Sequence, residues 1–321
     1  MLKVFISMKI VFLLVVLLSN TCIHAQIVSD FNFKNDSSFV LINFRIKECP
    51  TKKYYDVQLS VSNHLGVYTP EFLIGDFQQV DCFGLKTIKW NKKIDSIPFL
   101  DKDKIKIELT EVDKAPIIFN KHLYYSDLVD IDKNNYKTIR IGKQTWMSEN
   151  LRVKHFKNGD KIEEFSEEKI WSELKNPTWT HYNLDANYER SYGKIYNWLA
   201  VHDKRGICPT GWRVPKIGDW QVLSDYIGKN EPGALLKEVG YTKWKIPNSE
   251  ASNFYGFTGV PGGLIDEESK FKKIGELGSW WSSSVYSNDY ITTANLYFSD
   301  SKMDIGATSN SCGLSVRCIK E

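Results

Sequence analysis

The stretch that most constrains this chain spans residues 205–220, RGICPTGWRVPKIGDW. Its CPTG turn (208–211) cannot lie inside a helix or a central strand, because proline lacks an N–H donor and glycine and threonine favour turns. Apolar side chains then recur at helical spacing from Trp220 to Ile227, which predicts a helix over 216–227. We therefore expect this segment to anchor a compact unit that another part of the chain completes, and the cysteines near the C-terminus indicate that part.

The first residues of the chain predict export. Two lysines precede the short apolar run 10–18, and Ala25 follows as a small residue. This pattern is that of a secretory signal peptide, with an apolar run too short to span a bilayer. Cleavage after Ala25 would remove residues 1–25 and give a secreted or outer-surface protein without a transmembrane segment. A second interpretation remains open, in which Cys22 carries a lipid.

Charge and composition exclude one class of partner. The chain has 42 lysines and arginines against 39 acidic residues, interspersed along its length, and a net charge of +3. This balance offers no electrostatic basis for binding nucleic acid. Aromatic residues make up 13% of the 321 residues. Such a density is typical of a loop-rich fold held by large rings, or of an aromatic ligand platform.

The chain divides into two candidate domains. Residues 26–112 contain short segments of alternating apolar and polar residues, which predict an all-β unit. Its GDF and GLKTIKW segments, at 75–77 and 84–90, resemble immunoglobulin-like sandwich modules of secreted Bacteroidota proteins, and a bridge between Cys49 and Cys82 would staple such a unit. Residues 113–136 show no sustained period and are interpreted as a linker or an interdomain strand. Residues 137–321 mix helical and strand patterns.

Five blocks in the second half carry a specific family resemblance. They are IGKQTWMSENL at 141–151, YGKIYNW at 192–198, FTGVPGG at 257–263, GSWWSS at 278–283 and SVRC at 315–318. Their order and spacing resemble the Fibrobacter succinogenes major paralogous domain, a family of extracellular bacterial modules. The shared motif contains Cys318 but not Cys312. The resemblance therefore implies a disulfide between Cys208 and Cys318, with Cys312 left free.

The resemblance also implies a fold. Two helices flanking a small irregular sheet, with the first and last strands close together, match the C-type-lectin-like scaffold. The RVP segment at 213–215, followed by a helix containing Trp220, is similar to formylglycine-generating enzymes, which share that scaffold. We therefore expect an α+β fold, in which a C-type-lectin-like domain follows an all-β immunoglobulin-like sandwich.

No catalytic or metal-binding pattern stands out in the sequence. The histidines lack metal-ligand spacing, and no nucleophile elbow or phosphate loop occurs. The EPG segment at 231–233 lacks the third oxygen ligand of the calcium cage of C-type lectins. We therefore expect no enzyme activity, no metal and no cofactor, although an enzyme derived from the formylglycine-generating scaffold remains a third hypothesis.

The candidate binding site is aromatic. Trp280 and Trp281 are neighbours on a predicted strand, so their rings point to opposite faces. If one ring fills the core, the other can stack on a sugar beside a polar loop. The predicted patch consists of Trp281, Tyr286, Asn288, Asp289 and Tyr290, although the sequence does not fix which tryptophan faces outward.

These features predict a secreted, non-catalytic binding or adhesion protein. Its ligand would be a polysaccharide, or another cell-surface component such as a protein. One alternative is that both rings of the tryptophan pair are buried and the polar loop is merely solvated. In that case a structural or assembly role in the cell envelope, without a sugar ligand, is the second hypothesis.

Overall fold

The computed structural model describes residues 27–47, 53–71, 73–80, 85–112, 117–228 and 231–321. The chain is mostly β, with 39% strand and 12% helix. The expected α+β fold, with a C-type-lectin-like domain after an immunoglobulin-like sandwich, is therefore wrong. One physical reason is that a short amphipathic segment does not become a regular helix. The segment 166–174, expected to be a helix, contains only a 3₁₀ turn, Trp171–Glu173.

The N-terminal unit consists of two small antiparallel sheets. One sheet has the order β1-β2-β6-β5, with β1 (Ile27–Asn35), β2 (Val40–Lys47), β6 (Lys86–Trp90) and β5 (Leu73–Gly75). The other has the order β4-β3-β7, with β4 (Gly66–Tyr68), β3 (Tyr54–Asn63) and β7 (Lys104–Val112). Alternate residues of β3 are buried, from Tyr55 to Val61. They pack with Trp90 in a core that belongs to this unit, as period-two patterning requires.

The second unit contains a five-stranded sheet of order β14-β21-β10-β9-β8. Its strands are β8 (Ser126–Val129), β9 (Asn135–Ile141), β10 (Gln144–Met147), β14 (Trp212–Arg213) and β21 (Ile319–Lys320). β8 lies within 113–136, the segment interpreted as a linker or an interdomain strand. Its four residues pair with β9, and so short a strand leaves little periodicity in the sequence.

A larger, nine-stranded sheet completes the second unit. Its strands are β11 (Glu163–Glu164), β12 (Thr178–Thr180), β13 (Ile195–Asn197), β15 (Gly262–Ile265), β16 (Phe271–Ile274), β17 (Leu277–Val285), β18 (Tyr290–Tyr297), β19 (Met303–Ser309) and β20 (Gly313–Ser315). The helices are α1 (Glu189–Tyr192), α2 (Trp198–His202), α3 (Ile217–Ile227) and α4 (Pro232–Leu236). Aromatic side chains fill the core on both sides of β17.

Helix α3 is the helix expected at 216–227, and its first turn is held by a carboxylate. Asp219 accepts a hydrogen bond from the Lys216 N–H at 2.6 Å. The same carboxylate receives two hydrogen bonds from the Arg213 guanidinium, at 2.6 and 2.9 Å. An acidic residue is favourable at a helix N-terminus because it opposes the helix dipole. The N-cap residue, Lys216, has no side-chain oxygen that could accept a hydrogen bond, so Asp219 is the side chain that stabilises the first turn.

The predicted bridge between Cys208 and Cys318 is confirmed. It joins residues 110 positions apart, with Cα atoms separated by 6.0 Å, and Cys312 is a buried free thiol. The bridge ties the CPTG turn to the segment before β21. The predicted signal peptide, Cys22 and the proposed Cys49–Cys82 bridge lie outside the described residues. Within the described ranges, no helix is long and apolar enough to cross a membrane.

Candidate ligand-binding cleft

The structure corrects the predicted aromatic patch. Trp281 is fully buried and Trp280 is 1% exposed, so the prediction of an outward ring at Trp281 is wrong. The two rings do point to opposite faces of β17, but both faces are covered. Trp281 packs against Trp198, with ring centroids 5.8 Å apart, and Trp280 packs against Trp220 at 6.3 Å. Alternation along a strand exposes one of two neighbouring rings only where one face of the sheet is open to solvent.

The rest of that patch lies at the tip of the β17–β18 hairpin. Tyr286 is 72% exposed and Tyr290 is 47% exposed. The carbonyl of Asp289 accepts a hydrogen bond from Asn310 N at 2.8 Å, and the carbonyl of Asn288 accepts one from Asn310 Nδ2 at 3.3 Å. The structure therefore keeps Tyr286, Asn288, Asp289 and Tyr290 together without the ring that was expected to be their platform.

A cleft between the two units is the strongest candidate site. Its volume is about 420 Å³, which lies within the range of small-molecule sites. The N-terminal unit contributes an apolar wall that includes Phe39 and Phe77. The second unit contributes residues of α4 and of the loop 248–258, including Ser252 and Phe254.

An ion pair crosses the cleft and joins its walls. Lys89 Nζ of the N-terminal unit lies 2.9 Å from Glu250 Oε2 of the second unit. The same ammonium group lies 4.3 Å from the centre of the Phe39 ring. Both charged side chains are only partly exposed, at 30% and 38%. Partly exposed ion pairs add little to the free energy of unfolding. We therefore expect this pair to act mainly by fixing the position of one wall relative to the other.

The cleft loop, residues 248–258, is shaped by asparagines. Asn248 and Asn253 adopt left-handed backbone conformations, with φ of 41° and 49°, which asparagine tolerates better than most residues. Asn253 Oδ1 accepts the Thr258 N–H at 2.8 Å, and its Nδ2 donates to Thr258 Oγ1 at 2.9 Å. Asn248 Nδ2 donates to the carbonyls of Glu238 and Gly240. These bonds hold an irregular backbone in one conformation.

A buried arginine anchors the same loop. Arg317 is fully buried, and it donates to the carbonyl oxygens of Phe257 and Thr258 and to Asn150 Oδ1. No ion pair joins it to a described residue. Burial lowers the pKa of Arg317 to about 9. The guanidinium therefore stays charged at neutral pH and ties the cleft loop to the SVRC segment.

Ser252, a residue that lines the cleft, has a hydroxyl without a hydrogen-bond partner among the described residues. Ser252 Oγ is buried and makes no hydrogen bond to any described residue, although the Ser252 N–H donates to the carbonyl of Ala234 at 3.0 Å. Buried polar atoms are nearly always paired in native proteins. Ser252 lines the cleft, so its hydroxyl could turn towards a ligand without losing a hydrogen bond to a described residue.

The other polar groups of the cleft are amides and carboxylates. Asn120 Nδ2 donates to the carbonyl of Asn253 at 3.1 Å, which fixes the amide at the mouth. Glu71 and Glu231 are exposed and line the cavity. Carboxylate and carbonyl oxygens accept hydrogen bonds from ligand hydroxyl groups, while the phenylalanine rings contact apolar surface. The cleft is therefore suited to a ligand with both kinds of surface.

Sequence reasoning missed the cleft because its residues come from distant segments. Phe39, Lys89 and Ser252 have no shared local pattern, and only folding brings them together. The one local signal was the segment NSEASNFYG at 248–256. Its asparagines and small residues are typical of a shaped loop rather than of a strand or helix.

The described residues contain no group of three or more histidine, cysteine, aspartate or glutamate side chains that could hold a metal ion. One cluster of titratable groups contains Glu189, His181 and Lys194, in which the carboxylate contacts both basic groups. Burial would raise the pKa of Glu189, but hydrogen bonds from His181 and Lys194 lower it to about 2. The carboxylate is therefore ionised at neutral pH, where it compensates the buried ammonium of Lys194.

Comparison with known proteins identifies the second unit. The family model described as the Fibrobacter succinogenes major domain matches residues 139–320, which is more than half of the 321-residue chain. The chain therefore belongs to this family, as the five sequence blocks predict. The matched range begins in β9 and ends in β21, so the cleft lies between the family domain and a unit outside it. No curated protein and no solved structure matches the chain.

Proposed function

We propose that this protein is a non-catalytic binding protein that holds a neutral, hydroxyl-rich ligand, a segment of polysaccharide, in the cleft between its two units. The observation that carries the proposal is Ser252, a residue that lines the cavity and whose buried hydroxyl has no partner among the described residues. Because Ser252 lines the cavity, rotation about its Cα–Cβ bond would bring the hydroxyl to a sugar hydroxyl without breaking a hydrogen bond to any described residue. The Phe39 and Phe254 rings that line the same cavity would contact the apolar face of the sugar.

The charge of the cleft supports a neutral ligand over an acidic one. Among the described lining residues, Glu71, Glu231 and Glu250 are acidic. Lys89 is a cation, but its ammonium group is already paired with Glu250. An anionic polymer would be repelled by the remaining carboxylates, whereas the hydroxyl groups of a neutral glycan would donate to them.

The location of the protein is part of the proposal. The pattern in residues 1–25 supports export to the medium or the outer cell surface. The Cys208–Cys318 bridge supports the same location, because disulfides persist mainly in oxidising compartments. A polysaccharide ligand would be available in either place.

A second candidate function is assembly with a cell-surface protein. It is favoured by the β17–β18 hairpin tip, where Val285 is 55% exposed and Tyr286 is 72% exposed. Exposed apolar and aromatic side chains grouped on one projection are typical of protein contact surfaces. In this case the tip, rather than the cleft, would be the functional surface.

The test is titration calorimetry of residues 26–321 with neutral disaccharides of glucose, xylose and mannose. Ser252→Ala should weaken binding about 2- to 10-fold, since one hydrogen bond is lost. The same variant should be at least as stable as the wild type, because the removed hydroxyl is buried and unpaired among the described residues of the free protein. Ser148→Ala is the matched control, since Ser148 Oγ is also buried and unpartnered among the described residues but does not line the cleft.

Three outcomes would count against the proposal. Absence of binding to all of these disaccharides would refute a neutral-glycan site. Binding that Ser252→Ala leaves unchanged would place the site elsewhere. Binding that is lost in Tyr286→Ala and kept in Ser252→Ala would favour the hairpin tip.

A further inference from the structure

We infer that the ligand is bound along the interior of a sugar polymer, because the binding surface continues out of the cleft across three rings. We call Phe254, Tyr255 and Tyr226 the aromatic strip. The inference rests on the proposed function and extends it from the cleft to the surface of α3. A ligand that ended inside the cleft would have no use for this surface.

The outer end of the strip is a supported, exposed ring. Tyr226 lies on α3 and is 56% exposed. A Cβ atom placed on Gly142 would lie 2.8, 2.9 and 3.0 Å from three carbons of the Tyr226 ring. Three near-equal distances mean that the ring lies face-on against the backbone of the β9–β10 turn. One face of the ring is therefore held in place, while the residue remains largely exposed.

The strip connects this ring to the cleft through direct contacts. The centroids of Tyr226 and Tyr255 are 5.9 Å apart, and those of Tyr255 and Phe254 are 5.0 Å apart. Phe254 is 38% exposed and lines the cavity. The Tyr255 N–H donates to the carbonyl of Leu235, another lining residue, at 3.3 Å. The three rings therefore form a continuous surface from α3 to the cavity.

The chemistry of the strip fits a sugar chain. Successive rings are steeply inclined, at 65° and 82°, so faces and edges alternate along the surface. Pyranose units likewise present an apolar face and a rim of hydroxyl groups. Two of the three strip residues are tyrosines, whose hydroxyl groups can both donate and accept hydrogen bonds at the rim. Rings of this kind provide stacking area with little loss of side-chain freedom.

The carboxylate beside the aromatic strip and those in the cleft both favour a neutral sugar polymer over an acidic one. Helix α3 carries Asp225 next to Tyr226, and Asp225 Oδ1 accepts a hydrogen bond from Gln221 Nε2 at 3.3 Å. Carboxylate and amide groups beside an exposed ring give a sugar hydroxyl acceptors and donors within reach. The strip therefore continues the combination of rings and carboxylates that lines the cleft.

The test compares disaccharides with hexasaccharides of the same sugar, by titration of residues 26–321. The wild type should bind the hexasaccharide more tightly. Tyr226→Ala should reduce hexasaccharide affinity about 3- to 10-fold, the effect expected for one stacked ring, and leave disaccharide affinity unchanged. Tyr226→Phe should retain tight binding because it keeps the ring. Tyr286→Ala is the matched control, an exposed tyrosine off the strip.

The outcomes separate this inference from the proposed function. If the disaccharide and hexasaccharide bind equally, or if Tyr226→Ala has no effect, the strip does not contact the ligand. A disaccharide affinity that still depends on Ser252 would then leave the cleft function intact. If no neutral oligosaccharide binds, both the function and the inference are wrong. A thermal melt of Tyr226→Phe and Tyr226→Ala checks that both variants are folded, and we expect each to unfold in a cooperative transition.

Discussion

Replacing Arg317 by methionine tests whether a buried cation holds the cleft loop. Methionine is similar in length and removes the charge. In the wild type the guanidinium donates to the carbonyls of Phe257 and Thr258, the latter at 3.2 Å. It also donates to Asn150 Oδ1 at 2.9 Å and lies 4.2 Å from the centre of the Phe257 ring. All of these contacts are lost in Arg317→Met.

The expected loss of stability follows from what remains unpaired. Asn150 Oδ1 keeps a partner, because Trp280 Nε1 donates to it at 2.8 Å. The Phe257 and Thr258 carbonyls lose their arginine partner, and an unsatisfied buried acceptor costs about 1–3 kcal/mol. Two of them cost about 2–6 kcal/mol. The variant no longer buries a charge, and the desolvation cost that it avoids is subtracted from this value. We expect Arg317→Met to lower the free energy of unfolding by about 3 kcal/mol.

Urea denaturation measures this difference, and hydrogen exchange locates it. The Thr258 amide, which donates to Asn253 Oδ1, should exchange faster in Arg317→Met than in the wild type. Arg205→Met is the control, since Arg205 pairs with Asp203 at the surface and should contribute under about 1 kcal/mol. An Arg317→Met variant as stable as the wild type would refute the reasoning. The cost of burying the charge would then equal the free energy that its hydrogen bonds and ring contact contribute.

Two further predictions concern the second unit. Replacing Cys208 and Cys318 by serine should lower the free energy of unfolding by about 4–5 kcal/mol, as expected when a bridge closing a loop of this length is lost; urea denaturation that gives equal stabilities would contradict it. Burial lowers the pKa of Lys237 to about 8, from 10.5. The unfolded chain therefore binds more protons between these values, so wild-type stability should rise by about 2 kcal/mol relative to Lys237→Met from about pH 7.5 to pH 9.5; parallel pH curves would contradict this.

The local features of the family domain were predictable from sequence. Helix α3 follows from the spacing of Trp220, Leu223 and Ile227, because a buried stripe has helical period. The bridge between Cys208 and Cys318 was implied by the shared motif. Both features depend on residues that carry their own signal, either as a period or as a recognised block.

The fate of the tryptophan pair was not predictable from sequence. Alternation places Trp280 and Trp281 on opposite faces of β17, and this part of the prediction agrees with the structure. Whether a face is covered depends on what packs there. Trp198 and Trp220, which cover the two faces, lie at least 60 residues away along the chain. A periodic pattern in one strand contains no information about them.

The fold class failed for a related reason. Short amphipathic segments such as 166–174 have a helical period but too few residues to repay the cost of starting a helix. Tertiary packing decides their conformation, and here Trp171 is buried in a 3₁₀ turn. Tertiary packing also forms the cleft. The sequence does not predict it, because Phe39 and Ser252 share a cavity but no local pattern.

The position of β21 in its sheet determines when the family domain can close during synthesis. Ile319 pairs with Trp146 of β10, and Lys320 pairs with Trp212 of β14. These pairings join distant parts of the chain, and such contacts form slowly. Until residues 319 and 320 leave the ribosome, β10 lacks its neighbour and presents an unpaired edge, which is a template for aggregation. The N-terminal unit, whose core needs only residues up to 112, can fold first.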